Sequence, residues 1–409
     1  MQHNDGAAAT YGALAVLMAF HIFFGGIVVE RMTEVYFGLH SALFNYRSAS
    51  LIALTIAVIY AMLATKPKLP FLAWILIAMT LVGLTVGVYF GRPAGVMASH
   101  AVQAATALLG FLAGYLFLLR RYDLWNVVRI TSYAAVFSVA IWLVVYVVIA
   151  TNVRHGLPDF SLNFYVLIIP FAYFLIKGQG LFATLTFVLM ILVGKRAIML
   201  AGVAMLAWYW ILSLVARERG FIATRYCVAI LALFSIRTCW PLFSVLTHAP
   251  RTKATDIGRS VAVTDINTLS SYRGDLIASV ASMLQESPIQ WLTGAGFGSN
   301  FVFSSGKTSA TTFGVDLMPL HLVMLYGLPL SIIVFVYLAI VQVKSAFAKS
   351  PAQDRMRDLL SILLVGYLSC SMFSYVSIDP TMWFFIGAAT LKMLAEDQPG
   401  SPETVNQSS

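Results

Sequence analysis

The stretch PFLAWILIAMTLVGLTVGVYF, residues 70–90, decides the fold class. It runs for twenty-one residues without a charge. That length matches the ~20 apolar residues a helix needs to cross a bilayer. A barrel strand would instead alternate polar and apolar residues over about 10 positions. In lipid every backbone polar group must be satisfied internally, so an unbroken apolar run of this length reads as a helix.

The rest of the chain repeats the pattern. Of 409 residues, 60% are hydrophobic and only 11% are charged, and the mean hydropathy is +0.84. Soluble domains carry about 25% charged residues. A soluble enzyme, a disordered chain and a disulfide scaffold are therefore excluded. The expected fold is an all-α polytopic integral membrane protein. Twelve apolar runs are read as spans: 8–29, 48–65, 70–90, 95–119, 127–150, 162–176, 180–194, 197–216, 225–246, 317–342, 358–376 and 381–395. The organisation is thus nine helices over 1–246, a loop over 247–316 with an amphipathic helix in it, three helices over 317–395 and a tail over 396–409. There is no internal repeat, and hence no support for an inverted-repeat transporter. The first run, Ala7 to Val29, lacks a basic segment ahead of it and reads as a span rather than a cleaved signal.

Charge distribution gives an orientation. With the N-terminus in the cytoplasm, fourteen Lys and Arg fall in or beside cytoplasmic loops and six in short outer loops. Both termini are then cytoplasmic and the loop over 247–316 is periplasmic. The net charge of +9 is spread over these loops, so no nucleic-acid partner is expected. Cys227, Cys239 and Cys370 all sit in apolar runs and read as small core residues. No His, Cys, Asp or Glu cluster has ligand spacing, so neither a metal nor a cofactor is expected.

Several residues defy the charge bias. Lys195 and Arg196 stand together in the tight hairpin LVGKRAIML (192–200), at the outer face and beside hydrocarbon. They either snorkel to headgroups or bind an anionic ligand at the interface. Arg273 opens SSYRGDLIASVASMLQESP (270–288), an expected amphipathic helix with Asp275 in its first turn and Pro288 at its end. Leu276, Ile277, Val280, Met283 and Leu284 form its apolar stripe, and Arg273 shares that face by its spacing. Arg237 lies within the ninth run, where an arginine is a functional candidate. The stretch WLTGAGFGSNF (291–301) is not a dinucleotide motif, for it neither follows a strand nor opens a helix. It reads as a tight turn whose amides can form an anion-binding nest. Asp316 and His321 flank the start of the tenth span in GVDLMPLHLVMLYGLPL (314–330), with Pro319 in its first turn. Opposite several arginines, both are candidates for a general base.

In order and spacing these features resemble the O-antigen polymerase and O-antigen ligase (Wzy/WaaL) superfamily of lipid-linked glycan transferases. The resemblance covers about Asn163 to Tyr326. It rests on Asn163 opening the sixth span in SLNFYVLIIPF and on Arg196 in a short hairpin before the small-residue run GKRAIMLAG. It continues with Arg273 ahead of a proline and the glycine motif, and with Asp316 eleven positions before Gly327. Ligases typically carry His-Asn where this chain has Asp316-Leu317. The resemblance implies an undecaprenyl-diphosphate-linked oligosaccharide as donor, a periplasmic reaction at the inner membrane, and no metal or cofactor. Arg196 and Arg273 would hold the diphosphate, supported by Lys195 and Arg237, while Asp316 or His321 would orient or deprotonate the acceptor. Membrane lipids, a chain-length regulator and a flippase are the implied partners. A polymerase is the first expectation. A ligase acting on lipid A-core is the alternative within the class, and a lipid-linked glycan flippase or other anion transporter the alternative outside it.

Overall fold

The computed structural model describes residues 40–119, 123–153, 165–192, 196–215, 266–285, 287–305, 308–312, 315, 317–347, 355–372 and 380–396. The expected spans 8–29 and 225–246, with Cys227 and Cys239, lie outside them. The described chain is helical apart from one hairpin. Helices α1 (His40–Thr65), α2 (Phe71–Tyr89), α3 (Ala94–Leu119) and α4 (Leu124–Val153) come first. A 3₁₀ turn at Tyr165–Leu167 leads into α5 (Ile168–Lys177), followed by α6 (Gly180–Leu192) and α7 (Arg196–Val215). After the undescribed stretch come α8 (Ile266–Gln285), the short α9 (Ile289–Thr293), and strands β1 (Phe301–Ser305) and β2 (Thr308–Thr312). The chain closes with α10 (Met318–Phe347), α11 (Arg355–Ser371) and α12 (Pro380–Glu396). Four stretches are long and apolar enough to cross a membrane by length and composition: Phe71–Tyr89, Ala94–Leu119, Leu124–Ile141 and Met318–Ala346.

Their surfaces suit lipid on the outside and protein on the inside. On α10, Leu328, Ile332, Val336, Ile340 and Val343 form an exposed apolar stripe, while Val334, Leu338 and Val341 are buried. A helix apolar on both faces belongs in a protein core or a membrane.

Among the described helices the tightest pair is α3 with α12, and small residues cause it. A Cβ at Gly110 would run into the Pro380 carbonyl, one at Gly114 into the Phe384 carbonyl, and one at Gly387 into the Phe111 carbonyl. Gly110 and Gly114 are four apart, so they open one groove along α3 and let the backbones approach. Gly110 meets Pro380 where Gly114 meets Phe384, so the two helices run parallel.

Between α7, α10 and α11, Trp208 Nε1 donates to Ser361 Oγ (2.8 Å) and Gln342 Nε2 donates to the same hydroxyl (3.0 Å). Arg357 Nε caps the end of α10 by donating to the Ser345 carbonyl (2.8 Å). Gly366 of α11 lies against Met205 and Ile168. These contacts make α11 antiparallel to both α7 and α10. Cys370 of α11 is fully buried, as expected of a core cysteine.

The loop before α10 differs from its expectation. Helix α8 begins at Ile266, so Asp275 is interior to it rather than in its first turn. Leu276, Val280, Met283 and Leu284 are buried, but Ile277 is 50% exposed and drops out of the stripe. Ile277 keeps the three- and seven-residue spacing to Val280 and Leu284, so it marks the exposed edge of the stripe rather than its centre. The β1–β2 hairpin, with Phe301 paired to Thr312 and Ser305 to Thr308, was not expected.

Candidate functional site

Helix α10 is not continuous. At Gly327 its backbone leaves the helical region (φ 79°, ψ 171°), and Pro329 follows. Only glycine adopts that conformation readily. The break frees the Met324 carbonyl, which would otherwise accept the Leu328 N–H. The Ala295 N–H donates to it instead, at 2.7 Å. A buried loop thus replaces a lost bond of the helix, as non-helical backbone inside an apolar bundle requires.

That loop is the glycine stretch. Gly294, Gly296 and Gly298 all have positive φ, between 75° and 82°, and residues 294–299 are all buried. It is held on three sides. Towards α10, a Cβ at Gly327 would strike the Leu292 carbonyl, and one at Gly294 would strike the backbone of Leu325. Towards α2, the Phe297 N–H donates to the Gly83 carbonyl (2.8 Å). The Phe297 ring fills the space a side chain at Gly83 would take, and its carbonyl the space at Gly87. Towards α3, the Gly298 N–H donates to His100 Nδ1 at 3.0 Å. Gly83 lies six residues in from the end of α2, about 9 Å of helix rise, so the loop is recessed within the bundle.

His321 sits beside this loop. Its N–H closes the first turn of α10 onto the Leu317 carbonyl (2.9 Å), and its side chain is 4% exposed. Its ring meets that of His100 edge-on, with centroids 6.2 Å apart. His100 also contacts Phe297 (6.1 Å), which contacts Tyr326 (5.8 Å). Ser299 is fully buried, and its Oγ has no hydrogen-bond partner among the described residues. Arg92 leaves α2 against Gly298, where a Cβ would come within 2.7 Å of the Arg92 Cβ. Its guanidinium lies over Phe90 at 5.7 Å, and its Nε is buried without a partner among the described residues.

Of the residues expected to bind the diphosphate or act on the acceptor, and Asn163 with them, His321 is the one whose side chain is among the described residues. Asn163, Lys195, Arg237 and Asp316 lie outside the described residues. Arg196 and Arg273 are described as backbone positions only. Arg196 is the first residue of α7. Arg196 to Trp208 spans as many residues as Leu330 to Gln342, and both stretches end on Ser361. Position 196 therefore lies at about the depth of the α10 break, with α11 packed between α7 and α10. Position 273 is in the first half of α8, which packs against α10 and β1.

Sequence reasoning missed His100 and the place of Arg92. His100 is 2% exposed, and it was hidden inside the run read as the fourth span. A lone histidine six residues into an apolar run was the available signal. Arg92, in the turn between α2 and α3 and remote in sequence, packs on the glycine loop. Among the described residues no group of three His, Cys, Asp or Glu is placed to hold a metal. No protein-family model matches the chain, and no curated protein matches it.

Proposed function

We propose that this protein is a glycan polymerase of the bacterial inner membrane, working at the periplasmic face on undecaprenyl-diphosphate-linked repeat units. The hydroxyl of one lipid-linked unit attacks the anomeric carbon of the glycan on another. The bond from that carbon to the diphosphate breaks, and the electron pair leaves on the diphosphate. Arg196 and Arg273 hold that diphosphate, because a guanidinium fork matches phosphate oxygens and stabilises charge as it develops. Lys195 and Arg237 add positive charge. Asp316 or His321 takes the acceptor proton, and Asn163, at the start of the expected sixth span, is a further candidate. No metal or cofactor takes part. A flippase would supply the substrate, and a chain-length regulator would set the extent of growth.

The observation that supports this reading best is His321, buried beside a recessed glycine loop where α10 breaks. The same end of the bundle carries the start of α7 and the α8 helix on which Arg273 lies. A buried polar end on an apolar bundle suits a substrate with a lipid tail and a polar head.

Purified protein given a lipid-diphosphate repeat unit should yield longer lipid-linked products. Transfer to lipid A-core would make it a ligase. Movement between leaflets without a new glycosidic bond would make it a transporter and end the enzymatic reading.

A further inference from the structure

We propose that His100 is a positioning residue of this site, holding the glycine loop by its Gly298 amide so that the loop stays seated against the α10 break beside His321. This rests on the reading of the His321 region as the reaction centre.

The argument starts from one hydrogen bond. Gly298 N–H donates to His100 Nδ1 at 3.0 Å. An imidazole nitrogen that accepts carries no proton, so the ring is neutral and its proton is on Nε2. The bond is buried at both ends, with His100 2% exposed and Gly298 within the buried loop. An amide left without an acceptor there would bear the full desolvation penalty of an unpaired buried donor. The loop has two further backbone anchors, Ala295 to Met324 and Phe297 to Gly83. Both lie on the near side of Phe297. Beyond it, among the described residues, the hydrogen bond that ties the loop to another helix is the one His100 accepts.

A packing role alone would ask only for a side chain of this volume. His100 does more, because it joins the loop to α10 through its ring contact with His321. Phe297 stands edge-on to both His100 and Tyr326. The loop, α3 and the first half of α10 therefore share one polar and aromatic cluster. Displacing the loop would remove the partner of the Met324 carbonyl and loosen the break that sets where His321 stands.

The test separates acceptor from bulk. His100→Asn keeps an acceptor oxygen near the Nδ1 position, whereas His100→Leu keeps bulk and removes the acceptor. Each is made in a protein whose Cys227, Cys239 and Cys370 are replaced by Ala and which carries Ser299→Cys. Ser299 Oγ has no partner among the described residues, so that change breaks no described bond. N-ethylmaleimide should leave the thiol unreacted in the parent and in His100→Asn, and modify it in His100→Leu. In the lipid-diphosphate assay, His100→Leu should lower kcat about 10²-fold, the scale of a misplaced group, with KM for the donor little changed. His100→Asn should restore most of that loss.

Equal protection of the thiol in all three proteins would overturn the proposal. So would a released loop with unchanged kcat. Loss of turnover in His100→Asn with the thiol still protected would also overturn it, since His100 would then act through its proton rather than by holding the loop. If the parent transfers no glycan at all, the proposed function fails, while the maleimide result still decides whether His100 seats the loop.

Discussion

At the scale of single residues, the arginines carry the sharpest expectation. Arg196→Ala and Arg273→Ala should each reduce turnover about 10²–10³-fold, the effect of removing one preorganised donor. Lys at either position keeps the charge but loses the planar fork, so those variants should be impaired as well. Initial rates with a lipid-diphosphate donor would measure this. Lys177, exposed at the end of α5, is the control and should tolerate Ala. Arg92 is not a suitable control, because it packs against Gly298. Asp316→Asn and His321→Ala then assign the base: it is the one whose loss stops turnover while donor binding persists. If the Arg196 and Arg273 variants insert and turn over like the parent, the diphosphate is held elsewhere. His321 was legible because it breaks an apolar pattern next to a proline and an aspartate. His100 was not, because nothing near it in sequence signals that a loop about two hundred residues away will present an amide to it.

At the scale of elements, the glycines of the break should be costly to change. Gly327 combines a positive φ with contact against the Leu292 carbonyl. Gly327→Ala should therefore lower stability by about 1–3 kcal/mol, the range for a residue forced into a sparsely populated conformation. Thermal unfolding in detergent would show it as a lower Tm, and an unchanged Tm would mean the helix can simply close up. Most helix ends were readable in the sequence: α2 ends one residue short of the expected 70–90 run, and α3 begins one residue before the expected 95–119. The break was not readable, since a single glycine is tolerated in many helices. Gly327 interrupts α10 because the 294–299 loop supplies the partner for the Met324 carbonyl, and a sequence pattern carries no trace of that exchange. The β1–β2 hairpin escaped for a related reason: its few residues alternate too weakly to stand out from the surrounding loop.

At the scale of the whole molecule, two measurements bear on the orientation and the chemistry. Cys introduced at Ser304 in β1, in a background lacking the native cysteines, should react with an impermeant thiol reagent from the periplasm. Labelling only from the cytoplasm would reverse the topology and remove the site from the lipid-diphosphate pool it needs. Activity should also survive EDTA. Loss on chelation, restored by a divalent ion, would show that metal rather than arginine neutralises the diphosphate. Membrane character was legible throughout, because composition and run length speak directly to the solvent in which a helix is stable. The arrangement of helices was less so. The parallel α3–α12 seam follows from the spacing of Gly110 and Gly114, but no local feature names the partner that fills their groove.

That seam has a consequence for biogenesis. Helix α12 comes last of the described helices to be synthesised, yet it fills a groove cut into the third. While the ribosome is still making the intervening chain, α3 must wait in the bilayer with its glycine face covered only by lipid or by the insertion machinery. A protein stopped before residue 380 would keep that face open permanently, and membrane quality-control proteases should clear it faster than the complete chain.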